Sequence, residues 1–141
     1  MANAGDDVKG HCLCGAVQFT AKLKEPHAHA CHCNMCRRWS GGPMFGVAVD
    51  DLTFSDPAAV SAYKSSEWAE RVFCKTCGSN MAWRAPEMGF TAVPAFAFDP
   101  PVAITLESEL YIDEKPATYD LAGERTRMTA AEVEALFASA T

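Results

Sequence analysis

At 141 residues, 49% of them hydrophobic and 21% charged, the chain has the make-up of one soluble globular domain, which excludes disordered and collagen-like classes. Acidic residues outnumber basic ones by 18 to 12, for a formal net charge of −6. Non-specific nucleic-acid affinity rests on Lys and Arg neutralising phosphates, so the charge balance argues against that class while leaving room for a small local basic patch. Seven cysteines are the unusual feature, and an odd number cannot close into disulfides without leaving one over.

The stretch from Met1 to Asp7 is polar and acidic, unlike a secretory signal. The most apolar run, Met88 to Phe98, is about half a membrane span and contains Pro94. These features predict a cytoplasmic protein without membrane or nucleic-acid partners. Clustered thiols in a reducing compartment are metal ligands or catalysts more often than bridges.

One domain is expected over residues 1–141, with residues 1–8 as a loose tail. From His11 to Lys24 apolar and polar residues alternate through Val17, Phe19, Ala21 and Leu23, the pattern of a half-buried strand. A second strand fits His27 to Cys33, followed by a turn from Asn34 to Gly42. Met44 to Val49, Leu52 to Phe54 and Val60 to Lys64 read as further short strands around an Asp56-Pro57 turn. Arg71 to Phe73 and Asn80 to Arg84 flank a Cys-x-x-Cys-Gly turn as a hairpin would. Gly89 to Phe98 reads as a buried strand, stopped by Asp99-Pro100-Pro101. A terminal helix over 129–140 is predicted from Thr129 as N-cap, Glu132 three residues on, and the apolar stripe Val133, Leu136, Phe137. The expected fold is mainly β with this short C-terminal helix.

The chemistry lies in the thiol spacing. Cys12 and Cys14 form a C-x-C pair, Cys31, Cys33 and Cys36 a C-x-C-x-x-C run, and Cys74 and Cys77 a C-x-x-C-G knuckle. Residues i and i+2 of an extended segment face the same way, and a C-x-x-C turn brings its sulfurs together by curling. Zinc takes four tetrahedral ligands in structural sites and keeps a position open in catalytic ones. Seven thiols divide as four plus three. Cys31, Cys33 and Cys36 can form a local three-thiolate site, leaving Cys12, Cys14, Cys74 and Cys77 as a closed one. The alternative gives Cys74 and Cys77 to the middle cluster, and counting leaves both divisions open.

Gly10 to Val17, Cys31 to Arg38 and Phe73 to Asn80, together with Trp39 to Gly42 and Leu110 to Asp120, resemble the glutathione-dependent formaldehyde-activating enzyme family, which includes centromere protein V. The similarity spans about residues 9 to 127. It implies a β-tent zinc-binding domain of two small antiparallel sheets. It also implies two Zn²⁺ per chain, one structural on Cys12, Cys14, Cys74 and Cys77, and one catalytic on Cys31, Cys33 and Cys36. The implied activity is that of a carbon–sulfur lyase, joining glutathione to formaldehyde as S-hydroxymethylglutathione, with a small-molecule thiol and an aldehyde-like electrophile as partners. The chain departs from the family pattern at Thr118, where Trp is frequent, and at Phe96-Ala97-Phe98, where Gly-Thr-Leu is frequent.

Arg37 and Arg38 follow the last thiol of the open site and are candidates to meet substrate carboxylates, with Trp39 as a candidate pocket wall. His32 alternates with two ligands and is expected to face away from their metal. Glu67-Trp68 lies in a polar loop able to cover a site. The competing functional class is a zinc-stabilised binding module with two structural zincs and no catalysis.

Overall fold

A computed structural model describes residues 2–140, with side chains through residue 138. The order of elements is β1 (Asp7–His11), β2 (Gln18–Cys31), α1 (Asn34–Ser40), β3 (Met44–Phe54), β4 (Val60–Lys64), β5 (Glu70–Cys74), β6 (Asn80–Ala85), β7 (Phe90–Pro94), β8 (Thr105–Leu110), β9 (Thr126–Met128) and α2 (Ala130–Ala140). The class is mainly β with a short terminal helix, as expected.

The strands connect differently from two small antiparallel sheets. They form one hydrogen-bonded path, β4-β5-β6-β7-β3-β2-β8-β9, with β1 added to β2. Two of the pairings, β2 with β8 and β8 with β9, are parallel. Parallel neighbours need long crossovers rather than tight turns, and no local sequence signal marks such a pairing. Within the stretch expected as a loose tail, the chain is held from Gly5 onward, and Asp7 already pairs with Lys22 across β1 and β2. The Gly5 N–H donates to Leu23 O at 2.7 Å, and Lys22 Nζ to Asp7 Oδ1 at 2.6 Å.

The two strands expected on either side of Pro26 are one long strand, β2, carrying a register skip. Leu23 faces Val49 of β3, yet Ala28 faces Val47, so β2 carries extra residues opposite β3. Pro removes a ladder donor and is tolerated at such an irregularity. The skip changes the parity of the inward face. Phe19, Ala21 and Leu23 are buried before it, and Ala28 and Ala30 after it. His29 and Cys31 are thereby turned onto the opposite side, where the functional cavity lies.

The segment expected as a turn after Cys33 is a seven-residue helix, α1. Cys33 caps it, its Sγ accepting from the Cys36 N–H at 3.3 Å. Gly41 ends it at φ 73°, a left-handed conformation that favours glycine. Seven residues give too little periodicity to announce a helix. The expected capping box of α2 is present: Thr129 N–H donates to Glu132 Oε1 at 3.1 Å, and Glu132 N–H to Thr129 Oγ1 at 3.3 Å. Val133 is buried and Phe137 half-buried, while Leu136 is exposed.

The main core joins Val17, Phe19 and Leu23 to Val47, Val49, Val72, Met81, Val93 and Phe98. Each such buried side chain contributes roughly 1.5–3 kcal/mol from removal of apolar surface from water. Gly10 lies against this core, and a Cβ there would come within 2.1 Å of Ala97 O and 2.7 Å of the Phe19 ring. The nearer obstacle is backbone and cannot swing aside. Gly10→Ala is therefore expected to cost about 3 kcal/mol, the upper end of overpacking penalties, read as a lowered urea midpoint at unchanged m-value.

Candidate metal centres and the adjoining cavity

The turn between β1 and β2 and the turn between β5 and β6 meet at four sulfurs. Cys12 and Cys14 belong to the first turn; Cys74 ends β5 and Cys77 lies in the second. Cys12 Sγ and Cys14 Sγ are 3.6 Å apart, and Cys14 Sγ and Cys74 Sγ 3.8 Å. Four sulfurs at the usual zinc–sulfur length in a tetrahedron stand about 3.8 Å apart. The donor set and its spacing therefore fit zinc, and all seven cysteines are free of disulfides.

Backbone N–H groups aim at these sulfurs. Val17 donates to Cys12 Sγ at 3.3 Å, and Thr76 and Cys77 donate to Cys74 Sγ at 3.3 and 3.4 Å. Such bonds favour the ionised thiol that a metal requires. The Cys77 thiol is pulled down to about 5, chiefly by the Ser79 hydroxyl and backbone N–H. Ser79 Oγ also accepts from the Leu13 N–H at 3.1 Å, tying the two turns together beside the sulfurs.

The second group comprises Cys31 at the end of β2, Cys33 capping α1 and Cys36 in its first turn. Their sulfurs lie within 4.8 Å of one another, and among the described residues no fourth His, Cys, Asp or Glu joins them. The thiols share protons unequally. Hydrogen bonds from Cys31 and Cys36 hold Cys33 well below the ordinary thiol range, whereas the contacts of Cys31 with Cys33 and Cys36, then burial, push Cys31 far above it. One thiolate held by two thiols is an arrangement in which a divalent cation can replace the protons. The chemistry of three sulfurs with a vacant fourth direction fits zinc as well. The structure thus brings together the four-plus-three division, and the alternative pairing of Cys74 and Cys77 with the middle cluster is not formed.

His32, between two of these sulfurs, is fully buried and faces away from them. One ring nitrogen meets Glu109 Oε1 at 2.8 Å and the other the Tyr119 hydroxyl at 2.8 Å. Glu109 Oε2 accepts from Arg125 at 2.7 Å and Arg127 at 3.0 Å. The loop that presents Cys31 and Cys33 is thereby anchored to β8, which carries Glu109, and to the Tyr119 loop. Burial works against ionisation of Glu109, but the Arg125 and His32 hydrogen bonds and the Arg127 charge outweigh it and hold its carboxyl below the ordinary value.

Cys31, Cys33 and Cys36 open onto a cavity of about 160 Å³. Its aromatic side is built from four separate stretches, Trp68, Trp83, Phe90 and, from α2, Phe137, with Met44 and Val133 beside them. Phe137 packs on Trp68 with centroids 5.8 Å apart and on Trp83 and Phe90 at 6.5 Å. Trp68 thus lies over the site, as its loop suggested. Tyr111 also lines the cavity in a left-handed conformation, φ 57°, which costs a non-glycine residue about 1–2 kcal/mol. Burial first, then the charges of Glu134, Cys31 and Cys33, push its phenol up to about 12, so it keeps its proton.

The most informative residue escaped sequence reasoning. Arg71, on β5, is 4% exposed and lines the cavity. Its Nη1 donates to Cys36 Sγ at 3.6 Å, and its guanidinium stands 5.0 Å over the Trp39 ring. Trp39 is therefore a brace behind the cavity rather than part of its lining. Arg37 and Arg38 also lie outside the lining: Arg37 Nε donates to His32 O at 2.9 Å, and Arg38 Nε to Asn34 Oδ1 at 2.9 Å. Only the adjacency of Arg71 to the Phe73-Cys74 motif could have drawn attention to it.

A mainly β chain gathers four sulfurs between two turns and three in the wall of a cavity, two groups whose chemistry could hold metal ions. It belongs to the glutathione-dependent formaldehyde-activating enzyme family, which matches over residues 7–114. The chain is 33% identical over 130 residues to an uncharacterized lyase of Schizosaccharomyces pombe, covering 90% of this chain and 94% of that protein. A solved Rhodobacter sphaeroides protein has a similar fold, with a TM-score of 0.57 at 22% identity, over 86% of this chain and 99% of that one. No helix among the described residues is long and apolar enough to cross a membrane.

Two outcomes follow for stability. Glu109→Gln should cost about 3 kcal/mol at pH 7, because it leaves the Arg125 guanidinium, whose side chain is only 10% exposed, without its carboxylate partner. A carboxyl with a depressed folded pKa contributes fully above its unfolded value, near 4.5, and loses that contribution as pH falls through the folded value. The gap in unfolding free energy between variant and native chain should thus be constant above about pH 5 and narrow below about pH 4, with metal loss common to both cancelling. Cys77→Ala, or exhaustive chelation, should release any metal held by the four sulfurs between the two turns. Either should lower the thermal midpoint by well over about 10 °C, followed by circular dichroism alongside zinc release.

Proposed function

We propose that the chain is a zinc-dependent carbon–sulfur lyase acting in the synthase direction, joining a thiol such as glutathione to a small aldehyde such as formaldehyde, and reversing that reaction. The observation that carries this reading is the unequal setting of the two sulfur groups. Cys31, Cys33 and Cys36 line the cavity, whereas Cys12, Cys14, Cys74 and Cys77 do not. Membership of the family and the likeness to a protein named as a lyase support it.

In this reading Cys12, Cys14, Cys74 and Cys77 hold a structural zinc, and Cys31, Cys33 and Cys36 hold a catalytic one. A zinc held by Cys31, Cys33 and Cys36 would supply a Lewis-acid centre that favours the ionised form of a bound thiol at neutral pH. In the reaction the thiol sulfur bonds to the carbonyl carbon, and the proton it loses ends on the carbonyl oxygen. Arg71 sets a fixed positive charge beside Cys36, where negative charge gathers as that bond forms. The Trp68, Trp83, Phe90 and Phe137 rings exclude water from the same place. Arg37 and Arg38 on α1 stand outside the cavity, where the carboxylates of a glutathione-sized thiol would lie. Seven unpaired thiols suit the reducing cytoplasm.

The test is adduct formation between glutathione and formaldehyde, followed by NMR, for the native chain, Cys33→Ser and Arg38→Ala. Cys33→Ser should stay folded, lose one of two zincs and lose more than the roughly 100-fold activity that a missing outer-sphere partner costs. Full turnover by folded Cys33→Ser with one zinc gone would overturn the assignment. Arg38→Ala should raise KM for glutathione a few-fold and leave kcat unchanged.

A further inference from the structure

We infer that the cavity beside Cys31, Cys33 and Cys36 binds a small neutral molecule that pairs an apolar, ring-sized group with a carbonyl oxygen, the oxygen being met by Arg71 and Ser65. The inference rests on the lyase reading above for the reacting carbonyl and goes beyond it in the group attached to that carbonyl.

Size and surface come first. The cavity measures about 160 Å³, close to the roughly 150 Å³ of an apolar cavity that takes up benzene. Its walls are Trp68, Trp83, Phe90, Phe137, Met44 and Val133. Formaldehyde would leave most of these walls without contacts, since beyond its oxygen it brings a single CH2 group. Dispersion and release of water both favour a group that fills the space.

Unpartnered donors come second. Among the described residues, three buried side-chain polar atoms lack a hydrogen bond: Ser65 Oγ, Arg71 Nε and Arg125 Nε. Two of the three belong to residues lining this one cavity. Arg71 is held rigidly, its Nη1 on Cys36 Sγ and its plane over Trp39, so its Nε–H is a fixed donor rather than a wandering one. A buried donor without an acceptor is rare and costly, and a carbonyl oxygen supplies what it lacks.

Charge settles the neutral form. Three thiolates with one divalent ion carry −1, which Arg71 offsets. A neutral carbonyl compound leaves that balance undisturbed, whereas an anion or a cation enters the cavity uncompensated.

The experiment uses the zinc-loaded full-length chain with methyl-labelled methionine, titrated with acetophenone, acetone and ethylbenzene. These probes supply ring plus carbonyl, carbonyl alone and ring alone, and the ketones add thiols poorly enough to report binding. Met35 and Met44 line the cavity, while Met81 and Met88 do not and serve as controls. Acetophenone should shift the Met35 and Met44 signals at least tenfold more tightly than acetone, and more tightly than ethylbenzene. Arg71→Lys should weaken acetophenone about fivefold and leave ethylbenzene unchanged. Should Arg71→Lys fail to fold, Ser65→Ala reads the same preference. Acetone or ethylbenzene binding as tightly as acetophenone, or no shift at Met35 and Met44, overturns the inference. Thiol addition to formaldehyde without acetophenone binding overturns this inference alone. Acetophenone binding without acceleration of any thiol addition overturns the lyase reading and leaves the cavity ligand standing.

Discussion

The meeting of two turns at four sulfurs is the constraint on which the rest of the molecule depends. Along the strand path, β5 and β2 are separated by β6, β7 and β3, so the turns that follow β5 and precede β2 would stand far apart on a flat sheet. They are instead within sulfur contact, which requires the sheet to curl. A metal held there closes a loop of about sixty residues, and its binding energy is folding energy, because the site does not exist in the unfolded chain. The curled sheet then encloses Val47, Val72, Met81 and Val93, and leaves its other side for the cavity.

Two further devices turn that scaffold into a site. The register skip of β2 around Pro26 reverses which residues face inward, and so delivers His29 and Cys31 to the cavity. The fully buried His32, fixed at both ring nitrogens by Glu109 and Tyr119, holds the loop between Cys31 and Cys33 in place. Precision here comes from a paired charge network, Glu109 with Arg125 and Arg127, lying behind the sulfurs. Removing the Glu109 carboxylate is costly because Arg125, only 10% exposed, then loses its partner. The strained backbone of Tyr111 sits at the same end of the fold, at the cavity rim.

Much of the site was legible because metal ligands obey local rules. C-x-C and C-x-x-C spacings place sulfurs together through the geometry of a few residues, so seven candidate ligands and their four-plus-three division could be proposed without a fold. The α2 capping box was equally local, and both of its hydrogen bonds are present. α1 was read as a turn because seven residues hardly express a period, and because its cap is a cysteine rather than Ser, Thr or Asp. β8 and β9 escaped because they pair in parallel with distant partners, and four of the six residues of Thr105–Leu110 are charged or polar, with Glu109 buried only through its three partners.

The sequence by itself determined the cysteine framework, the mainly β class, the terminal helix and the family. Each of these is carried by a short pattern whose physics is complete within a few residues. Only the tertiary structure decided which three sulfurs face a cavity, what lines it and which cation stands beside them. Trp68, Trp83, Phe90 and Phe137 come from stretches up to 69 residues apart and mean nothing singly. Arg71 looks like any strand arginine until Trp39 and Cys36 are folded against it. Enclosure and an unpaired buried donor are properties of the packed whole, and no local pattern encodes them.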